Sequence, residues 1–271
     1  MVLLEGKTPA ALLRQNLKER AAYLARAGHP PRLAAVLAGA DEASALYLKR
    51  KQRTGRQLGI AVEGYHLPQP TNEEVAALLR ELSAREDVDG ILLEQPLPRH
   101  LHKEQLLQCI APEKDVDGLK PATPRAVMRL LKHYGIPLMG AEVVIIGHST
   151  VVGRPLAMLM LEQDATVTVC HKATQDLKAH TRRADVVVVA AGVPGLLTGD
   201  MIRPGAVVVD VGINIVDGQT VGDADFASVS QVAGAVSPVP GGVGPLTTLT
   251  ILEAVVANAE RAVRCQESAA D

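Results

Sequence analysis

Val143–Pro155 reads V-V-I-I-G-H-S-T-V-V-G-R-P, and this stretch decides the fold of the second half of the chain. A short run of β-branched residues ends at Gly147, a polar loop continues to Gly153 and Pro155, and Leu156–Glu162 has the pattern of a helix. A strand, a glycine turn and a helix N-terminus in this order form a phosphate-binding unit, because glycine lets the backbone approach an anion and the helix dipole favours negative charge. The spacing Gly-x-Ser-x-x-x-Gly-x-Pro differs from the G-x-G-x-x-G fingerprint, so the loop alone is equally compatible with the glycine turn of any α/β protein.

Three further strand patterns follow this unit and favour dinucleotide binding. They are A-T-V-T-V-C at Ala165–Cys170, D-V-V-V-V-A-A-G at Asp185–Gly192 and A-V-V-V-D-V-G at Ala206–Gly212. Unbroken apolar runs of this length are typical of a parallel sheet that is covered on both faces. The first run ends in His171 and Lys172 instead of an acidic residue, which suits the 2′-phosphate of NADP better than the ribose hydroxyl of NAD. A solvated loop lysine is the alternative interpretation of Lys172.

Composition bounds the class of protein. The chain has 271 residues, enough for two domains, and a net charge of -2, which gives no support for nucleic-acid binding. Aromatic residues are only 2%, and the apolar runs are far shorter than the ~20 residues of a membrane span. Met1–Tyr23 has a charged amphipathic helical pattern and not that of a signal peptide. The cysteines lack metal-binding spacing, so we predict no metal and a reducing, cytoplasmic setting; they are Cys109, Cys170 and Cys265.

Strand and helix patterns alternate through the first half of the chain. We predict helices at Thr8–Arg26, Ser44–Leu58, Asn72–Arg85, Lys103–Cys109 and Thr123–Tyr134, and strands at Arg32–Gly39, Ile60–Leu67 and Gly90–Leu93. Ser44 fits an N-cap after a turn at Ala40–Ala43. Thr71 fits an N-cap whose capping box Glu74 completes.

These patterns predict an α/β protein of two α/β domains with a cleft between them. The first domain comprises residues 1–121 plus 246–271, because Thr247–Arg264 has the pattern of a closing helix that returns to it. The second, residues 122–245, is a Rossmann-type parallel sheet that binds a dinucleotide. Val236–Pro245 (V-S-P-V-P-G-G-V-G-P) is too rich in proline and glycine for regular structure.

Candidate chemistry lies on one helix of the first domain. Ser44, Tyr47 and Lys51 are spaced i, i+3 and i+7, so they share a face just after the carboxyl end of a strand. Tyr47 offers a flat ring for a heterocycle, and Lys51 an acid, a base or a positioned charge. Because basic residues crowd Lys49–Arg53, a solvated basic face is the simpler interpretation from spacing alone.

Acidic residues supply further candidates. Asp115 and Asp117, in D-V-D-G, fit a turn or a helix cap, and a metal site there lacks a third ligand nearby. Glu94 follows a buried strand and is either an edge residue turned to water or a site residue. A lone histidine such as His171 is more often structural than catalytic.

The chain resembles the bifunctional methylenetetrahydrofolate dehydrogenase/cyclohydrolase family. The matching motifs occur in family order and span nearly the whole chain. They are Ser44–Lys51 (S-A-L-Y-L-K-R-K), Asp89–Pro98 (D-G-I-L-L-E-Q-P-L-P), Pro112–Gly118 (P-E-K-D-V-D-G), Gly147–Pro155 (G-H-S-T-V-V-G-R-P), Ala165–His171 (A-T-V-T-V-C-H), Asp210–Asn214 (D-V-G-I-N) and Pro238–Pro245 (P-V-P-G-G-V-G-P).

This resemblance implies oxidation of 5,10-methylenetetrahydrofolate to the 5,10-methenyl form with NADP, followed by hydration to 10-formyltetrahydrofolate. It makes Lys51 the catalytic lysine, stacks Tyr47 on the folate and places Asp117 at the pterin end. It also implies a homodimer with its cleft between two domains. Residues expected beside the folate and the nicotinamide are Pro240, Gly241 and Gly242.

By the same resemblance the second domain binds NADP. Where this chain has His148, many relatives have an arginine that touches the 2′-phosphate, and we expect Lys172 to compensate. The cofactor-binding candidates are Gly147, His148, Ser149, Val151, Gly153, His171, Lys172, Gly192, Gly212 and Ile213.

Two departures from the family pattern concern the first domain. Glu94 stands where the family has glutamine, so a carboxylate would lie beside Lys51 and favour its ammonium form. We therefore count Glu94 with Lys51 and Tyr47 as catalytic candidates and expect a weakened cyclohydrolase step. The competing possibility, that Gln95 takes the place of the glutamine, conflicts with strand alternation. The segment after Gly118 is also short, with only Leu119–Ala122 before the next turn, which would leave the folate site more open.

Two other classes remain as alternatives. A two-domain dehydrogenase of the shikimate type also uses a lysine, but the P-V-P-G-G-V-G-P stretch argues against it. A non-catalytic paralogue that binds NADP or folate is supported only by Glu94 and the short segment, whereas Tyr47, Lys51 and Asp117 speak against it.

Overall fold

Parallel sheets flanked by helices make up the computed structural model, which describes residues 1–40, 42–118 and 121–270, without the side chains of residues 42–43 and 266–270. The strands of the described residues are β1 (Val2–Leu3), β2 (Arg32–Ala38), β3 (Ala61–Leu67), β4 (Gly90–Leu93), β5 (Glu142–Ile146), β6 (Thr166–Cys170), β7 (Val186–Val189), β8 (Val207–Asp210), β9 (Asn214–Val216), β10 (Gln219–Val221) and β11 (Ala235–Val236). The α-helices are α1 (Lys7–Arg26), α2 (Glu42–Leu58), α3 (Asn72–Ala84), α4 (Lys103–Leu107), α5 (Ala122–His133), α6 (Gly153–Leu161), α7 (Leu177–Thr181), α8 (Phe226–Val232) and α9 (Gly244–Ala270). Within the described ranges, no helix is both long enough and apolar enough to cross a membrane.

The chain divides into two units. The six-stranded unit consists of Met1–Ala11 and Leu119–Thr247, and the three-stranded unit of Leu12–Gly118 and Thr248–Asp271. The division differs from the predicted domains at the N-terminus, because β1 pairs in parallel with β11 and so carries the first residues into the larger sheet. The helix predicted at Thr8–Arg26 is confirmed as α1, Lys7–Arg26, and the residues before it that shared the amphipathic pattern include the strand β1.

The three-stranded unit has the strand order β3-β2-β4, with all strands parallel. Its central strand β2 is buried from Leu33 to Ala38, as expected for a strand that is covered on both faces. Helix α3 packs Val75, Leu79 and Leu82 into the core below this sheet. Its predicted capping box is confirmed, since the Thr71 hydroxyl and the Glu74 carboxylate each accept a backbone N–H of the other residue.

The six-stranded unit has the strand order β1-β11-β8-β7-β5-β6 among the described residues, and its neighbouring strands are parallel. From β5 the chain passes to β6 on one side and later to β7 on the other. The carboxyl end of β5 is therefore the point where the strand order reverses, and α/β sheets bind their ligands at such a point. The three-stranded sheet has the same arrangement around β2, with β3 on one side and β4 on the other.

Several local predictions were wrong or incomplete. Ser44 is not an N-cap, because α2 begins at Glu42; of the turn predicted at Ala40–Ala43, Asp41 lies outside the described residues. Helix α4 ends at Leu107, and α9 begins at Gly244, inside the segment predicted to be irregular. The predictions also omitted β1, α7, α8 and the β9–β10 hairpin, which are short elements with weak periodicity. In the short segment after Gly118, Leu119 and Lys120 lie outside the described residues.

Candidate functional site

Lys51 and Glu94 form a buried ion pair in the three-stranded unit. The Lys51 Nζ donates to Glu94 Oε1 and Oε2, both at 2.9 Å. The two side chains are 8% and 7% exposed, so the pair is almost completely removed from water. A charged pair is buried at a high desolvation cost, which marks this position as more than a surface ion pair.

Topology brings these two residues together. Lys51 lies on α2, the helix that follows β2, and Glu94 follows directly on the carboxyl end of β4, which pairs with β2. Both side chains therefore lie at the reversal point of the three-stranded sheet. The solvated basic face that spacing favoured is wrong for Lys51, which is buried, although Lys49, Arg50 and Arg53 are not.

Opposing effects act on the pKa of the Glu94 carboxyl. Burial raises the pKa of the Glu94 carboxyl above its ordinary value, the Lys51 ammonium lowers it, and the Asp117 carboxylate raises it again. Asp117 is thus near enough to act on Glu94 electrostatically. The site therefore combines the buried Lys51 ammonium and Glu94 carboxyl with the half-buried Asp117 carboxylate.

Tyr47 lies one turn before Lys51 on α2, and the residue is 42% exposed. The Lys51 Nζ is 5.9 Å from the ring centroid, and the guanidinium carbon of Arg50 is 5.5 Å from it. These distances fit cation–π contacts on an exposed ring. The ring is therefore a flat platform beside the buried pair, while Ser44 is buried and its hydroxyl donates to the Gln95 carbonyl at 3.3 Å.

The D-V-D-G segment forms a turn around Asp115. The Asp115 Oδ1 accepts the backbone N–H groups of Asp117 at 3.1 Å and of Gly118 at 2.9 Å. Burial raises the pKa of the Asp115 carboxyl, although these two N–H groups lower it. Asp115 therefore shapes the loop, and Asp117 is the half-buried carboxylate that the loop presents.

The Gln95 side chain does not take the position beside Lys51. Its amide donates to the Leu93 carbonyl at 3.5 Å, whereas the neighbouring Glu94 contacts Lys51. The alternation expected for consecutive residues at a strand end accounts for this difference.

The glycine loop between β5 and α6 occupies the reversal point of the six-stranded sheet. Gly147 has φ +118°, and a Cβ there would lie 2.1 Å from the Ala190 carbonyl oxygen. A Cβ at Gly153 would lie 2.0 Å from the Gly147 carbonyl oxygen. Both glycines therefore allow close backbone packing that any side chain would prevent, and the N-terminus of α6 starts at Gly153 where a phosphate can approach.

The loop is braced by its own polar groups. Ser149 Oγ accepts the Val152 N–H at 3.1 Å, and Arg154 Nε donates to the His148 carbonyl at 3.0 Å. Val151 is half-buried in the same loop. These bonds hold the turn in shape before a ligand binds, so the fit of this chain to a dinucleotide phosphate is supported by its own backbone geometry.

Basic side chains surround the end of β6. The rings of His148 and His171 have centroids 4.9 Å apart, and Lys172 follows in an exposed position. The His171 Nδ1 accepts the Ala173 N–H at 3.2 Å, which leaves Nε2 as the donor of the neutral ring. The structure therefore brings together the three basic candidates at the strand end where a dinucleotide ribose is expected.

Gly192, Gly212 and Ile213 follow the ends of β7 and β8. Gly192 has φ +68°, Gly212 is buried, and Ile213 is 59% exposed. The remaining candidates, Pro240 to Gly242, lie in the same unit against the N-terminal segment, where the Gly6 N–H donates to the Gly241 carbonyl at 2.8 Å. A Cβ at Gly6 would lie 2.0 Å from the Gly242 carbonyl oxygen.

Two buried aspartates behind these loops were missed by the sequence analysis. Asp210, at the end of β8, accepts backbone N–H groups from Gly212, Asp223 and Ala224 at 2.8–3.0 Å. Burial raises the pKa of the Asp210 carboxyl to about 6, against the lowering effect of those N–H groups. Asp223, which is fully buried, accepts from two further N–H groups and an amide. Only the position of Asp210 at a strand end gave a signal that sequence reasoning can use.

Metal ligands do not cluster in this part of the molecule. Across the described ranges, no group of three or more His, Cys, Asp or Glu side chains is arranged to hold a metal ion.

Comparisons with known proteins match the first and second parts of the chain to two described domains. The family model for the "Tetrahydrofolate dehydrogenase/cyclohydrolase, catalytic domain" matches residues 4–117. The model for the "Tetrahydrofolate dehydrogenase/cyclohydrolase, NAD(P)-binding domain" matches residues 121–263.

Whole-chain relatives agree with these matches. The chain is 44% identical over 277 residues to the "Bifunctional protein FolD" of Burkholderia pseudomallei (strain 1106a), covering 96% of this chain and 97% of that one. The structure is similar to the bifunctional FolD dehydrogenase/cyclohydrolase of Campylobacter jejuni, with a TM-score of 0.94, 43% identity and coverage of 96% and 99%. It is also similar to the Trypanosoma brucei FolD, solved with NADP cofactor and an inhibitor, with a TM-score of 0.92, 34% identity and coverage of 97% and 99%.

Proposed function

Because the chain belongs to the tetrahydrofolate dehydrogenase/cyclohydrolase family, we propose that it oxidises 5,10-methylenetetrahydrofolate with NADP and hydrates the 5,10-methenyl product to 10-formyltetrahydrofolate. The observation that carries the proposal is the buried Lys51 beside Glu94 and the exposed ring of Tyr47. A buried lysine at the reversal point of a sheet, next to a flat aromatic platform, suits a heterocyclic substrate that reacts at one carbon. The three-stranded unit accordingly binds the folate, and the six-stranded unit binds the cofactor.

The side chains take little direct part in the chemistry of the oxidation step. Bound NADP supplies the acceptor of the hydride, so the chain contributes position and the exclusion of water. In this proposal Tyr47 stacks on the folate, Asp117 binds its pterin end, and Lys51 places a positive charge near the reacting carbon. Pro240, Gly241 and Gly242 line the region where the folate meets the nicotinamide.

The cofactor is held by the loop after β5 and by the basic strand end after β6. Gly147, Ser149, Val151 and Gly153 take the phosphates, because their N–H groups and the N-terminus of α6 favour an anion. The 2′-phosphate of NADP is bound by basic side chains, and a preference for NADP over NAD follows. These side chains are His148, His171 and Lys172.

Hydration of the methenyl product, in contrast, requires a group that accepts a proton. A water oxygen bonds to the cationic amidinium carbon, and the water must lose a proton as this bond forms. Lys51 donates to both oxygens of Glu94, and while it makes these bonds it acts as a donor to Glu94 and not as an acceptor for that proton. The cyclohydrolase step is therefore slower than the dehydrogenase step, and methenyl product accumulates.

The test uses purified protein, 5,10-methylenetetrahydrofolate and NADP⁺, with NADPH and the methenyl and formyl products followed separately. NADPH with accumulating methenyl product supports both parts of the proposal. If the formyl product matches NADPH in amount and forms faster than spontaneous hydration, the protein is bifunctional and Glu94 does not slow the cyclohydrolase step. If no NADPH forms, the result favours a non-catalytic paralogue that binds NADP or folate. Michaelis constants for NADP and NAD test the cofactor preference, which a clear preference for NAD would overturn.

The protein is further expected to be a homodimer in the cytoplasm. Exposed aliphatic side chains on the β9–β10 hairpin support self-association, with Ile215 69% and Val216 41% exposed.

The cysteines of the described residues are free, which agrees with a reducing compartment; they are Cys109, Cys170 and Cys265.

A further inference from the structure

The nicotinamide half of the cofactor has a definite place in a doubly wound sheet. Such a sheet consists of two mononucleotide-binding halves on either side of the strand-order reversal. The loop after β5 and the end of β6 serve the phosphates and the adenosine ribose. The other half of the dinucleotide would therefore be held over the carboxyl ends of β7 and β8, where the loops at Ala190–Gly192 and Val211–Ile213 begin.

One buried carboxylate connects these two loops. Asp223 Oδ2 accepts the N–H groups of Ala191 at 2.6 Å and Gly192 at 2.8 Å, both after β7. Its Oδ1 accepts the side-chain amide of Asn214 at 2.8 Å, after β8. A Cβ at Gly212 would lie 2.3 Å from Asp223 Cγ, so the β8 loop packs directly on this carboxylate.

Asp223 is itself held rigidly. It is 0% exposed, and its N–H donates to the Asp210 Oδ1 at 3.0 Å. Its carbonyl accepts the Leu197 N–H at 3.1 Å. The side chain therefore cannot move to follow one loop without releasing the other.

We propose that Asp223 is a positioning residue that sets the spacing of the β7 and β8 loops and so seats the nicotinamide half of NADP. This inference rests on the proposed function only in that NADP is the cofactor. Asp223 touches loops and not reacting atoms, so its effect is on the binding of the nicotinamide half and on the orientation of the ring for hydride transfer.

The donor pattern explains why a carboxylate is needed. Three donors converge on the side chain, and an ionised aspartate offers acceptors on both oxygens. An asparagine offers one oxygen and one NH₂, so Asp223→Asn places a donor against the Asn214 amide or against the β7 loop. Exchanging the partner as well, Asn214→Asp, restores the pattern, because the amide at position 223 donates to a carboxylate at position 214.

The experiment measures ligand binding by titration, independently of turnover, with NADP and with 2′,5′-ADP, which carries the adenosine and 2′-phosphate but no nicotinamide. Loss of a buried hydrogen-bond partner predicts that Asp223→Asn raises the Kd of NADP about tenfold or more. The Kd of 2′,5′-ADP stays at the wild-type value, and the double variant with Asn214→Asp returns the NADP Kd toward wild type. Asn214→Ala, which leaves the β7 contacts in place, gives a smaller rise for NADP and none for 2′,5′-ADP.

Unchanged NADP binding in Asp223→Asn and Asn214→Ala overturns the inference. An equal loss of both ligands also overturns it, because the residue would then only maintain the fold. If Asp223→Asn does not fold, Asn214→Ala decides alone, by whether NADP binding weakens while 2′,5′-ADP binding stays. Failure of the wild-type protein to produce NADPH would reject the proposed reaction but leave these binding measurements intact.

Discussion

At the scale of single residues, the buried Lys51–Glu94 pair allows a test of its proposed effect on proton transfer in the proposed folate site. Glu94→Gln replaces the carboxylate that accepts two hydrogen bonds from the Lys51 Nζ by an amide with one acceptor oxygen, while keeping the size of the side chain. We expect this variant to raise the rate of methenyl hydrolysis about tenfold with little change in NADPH formation, which is part of the roughly 10²–10⁴-fold that general acid–base catalysis supplies. Product-resolved kinetics check it, with Gln95→Leu as the control that leaves both rates unchanged. An unchanged or slower hydrolysis in Glu94→Gln would reject the role of Glu94.

The same pair makes a prediction about stability. Lys51→Met leaves the Glu94 carboxyl buried without its cation, and breaking a buried pair from one side costs about 3–5 kcal/mol. In this variant no Lys51 ammonium opposes the effect of burial, which raises the pKa of the Glu94 carboxyl, so stability is lost as pH rises through that raised pKa. We therefore expect the loss in free energy of unfolding to be large at neutral pH and small at acidic pH, as measured by urea denaturation.

A matched background isolates this effect. In Glu94→Gln protein, Lys51→Met should cost less at neutral pH and lose its pH dependence, because no carboxylate is left to ionise. A cost that is the same in both backgrounds would show that lost packing of the lysine stem, and not the unpaired charge, accounts for the result.

At the scale of elements, the N-terminus of α6 packs so closely on the β5 loop that adding one methyl group at Gly153 would disrupt this contact. A Cβ at Gly153 would lie 2.0 Å from the Gly147 carbonyl oxygen, so Gly153→Ala must displace the helix N-terminus from the β5 loop. We expect the KM for NADP to rise about tenfold or more, because the anion loses part of its N–H contacts and the helix dipole. Met158→Ala, on an exposed position of the same helix, is the control. Steady-state kinetics with varied NADP measure it, and equal KM values in the two variants would contradict the assignment of this loop.

At the scale of the whole molecule, the β9–β10 hairpin tests the proposed homodimer. Ile215 is 69% exposed, and an aliphatic side chain in this position gains from burial against a second copy of the chain. We expect wild-type protein to sediment as a dimer and Ile215→Glu to shift it toward monomer at the same concentration. Met139→Glu, 78% exposed in the same unit, should leave the dimer intact. A dimer that persists in both variants would place the contact elsewhere, and a monomeric wild type would reject the homodimer.

Features that depend on neighbours in the chain were accessible from the sequence. The apolar runs predicted the central strands, Thr71 and Glu74 predicted their capping box, and Gly147 and Gly153 predicted the turn between β5 and α6. These features follow from local rules, namely residue periodicity, the hydrogen bonds of a helix N-terminus and the freedom of glycine. The hairpin and the helices α7 and α8 escaped prediction because each is too short to build a clear period.

The sequence by itself therefore determined the α/β fold class, the glycine loop and the choice of Lys51, Tyr47 and Glu94 as candidates. Tertiary structure decided which groups meet. It paired Lys51 with Glu94, 43 residues away, and joined the loops after β7 and β8 through Asp223. The physical reason is that strand order and register bring distant strand ends together. A carboxylate buried there is stable only if it is paired, here with a lysine or with backbone N–H groups.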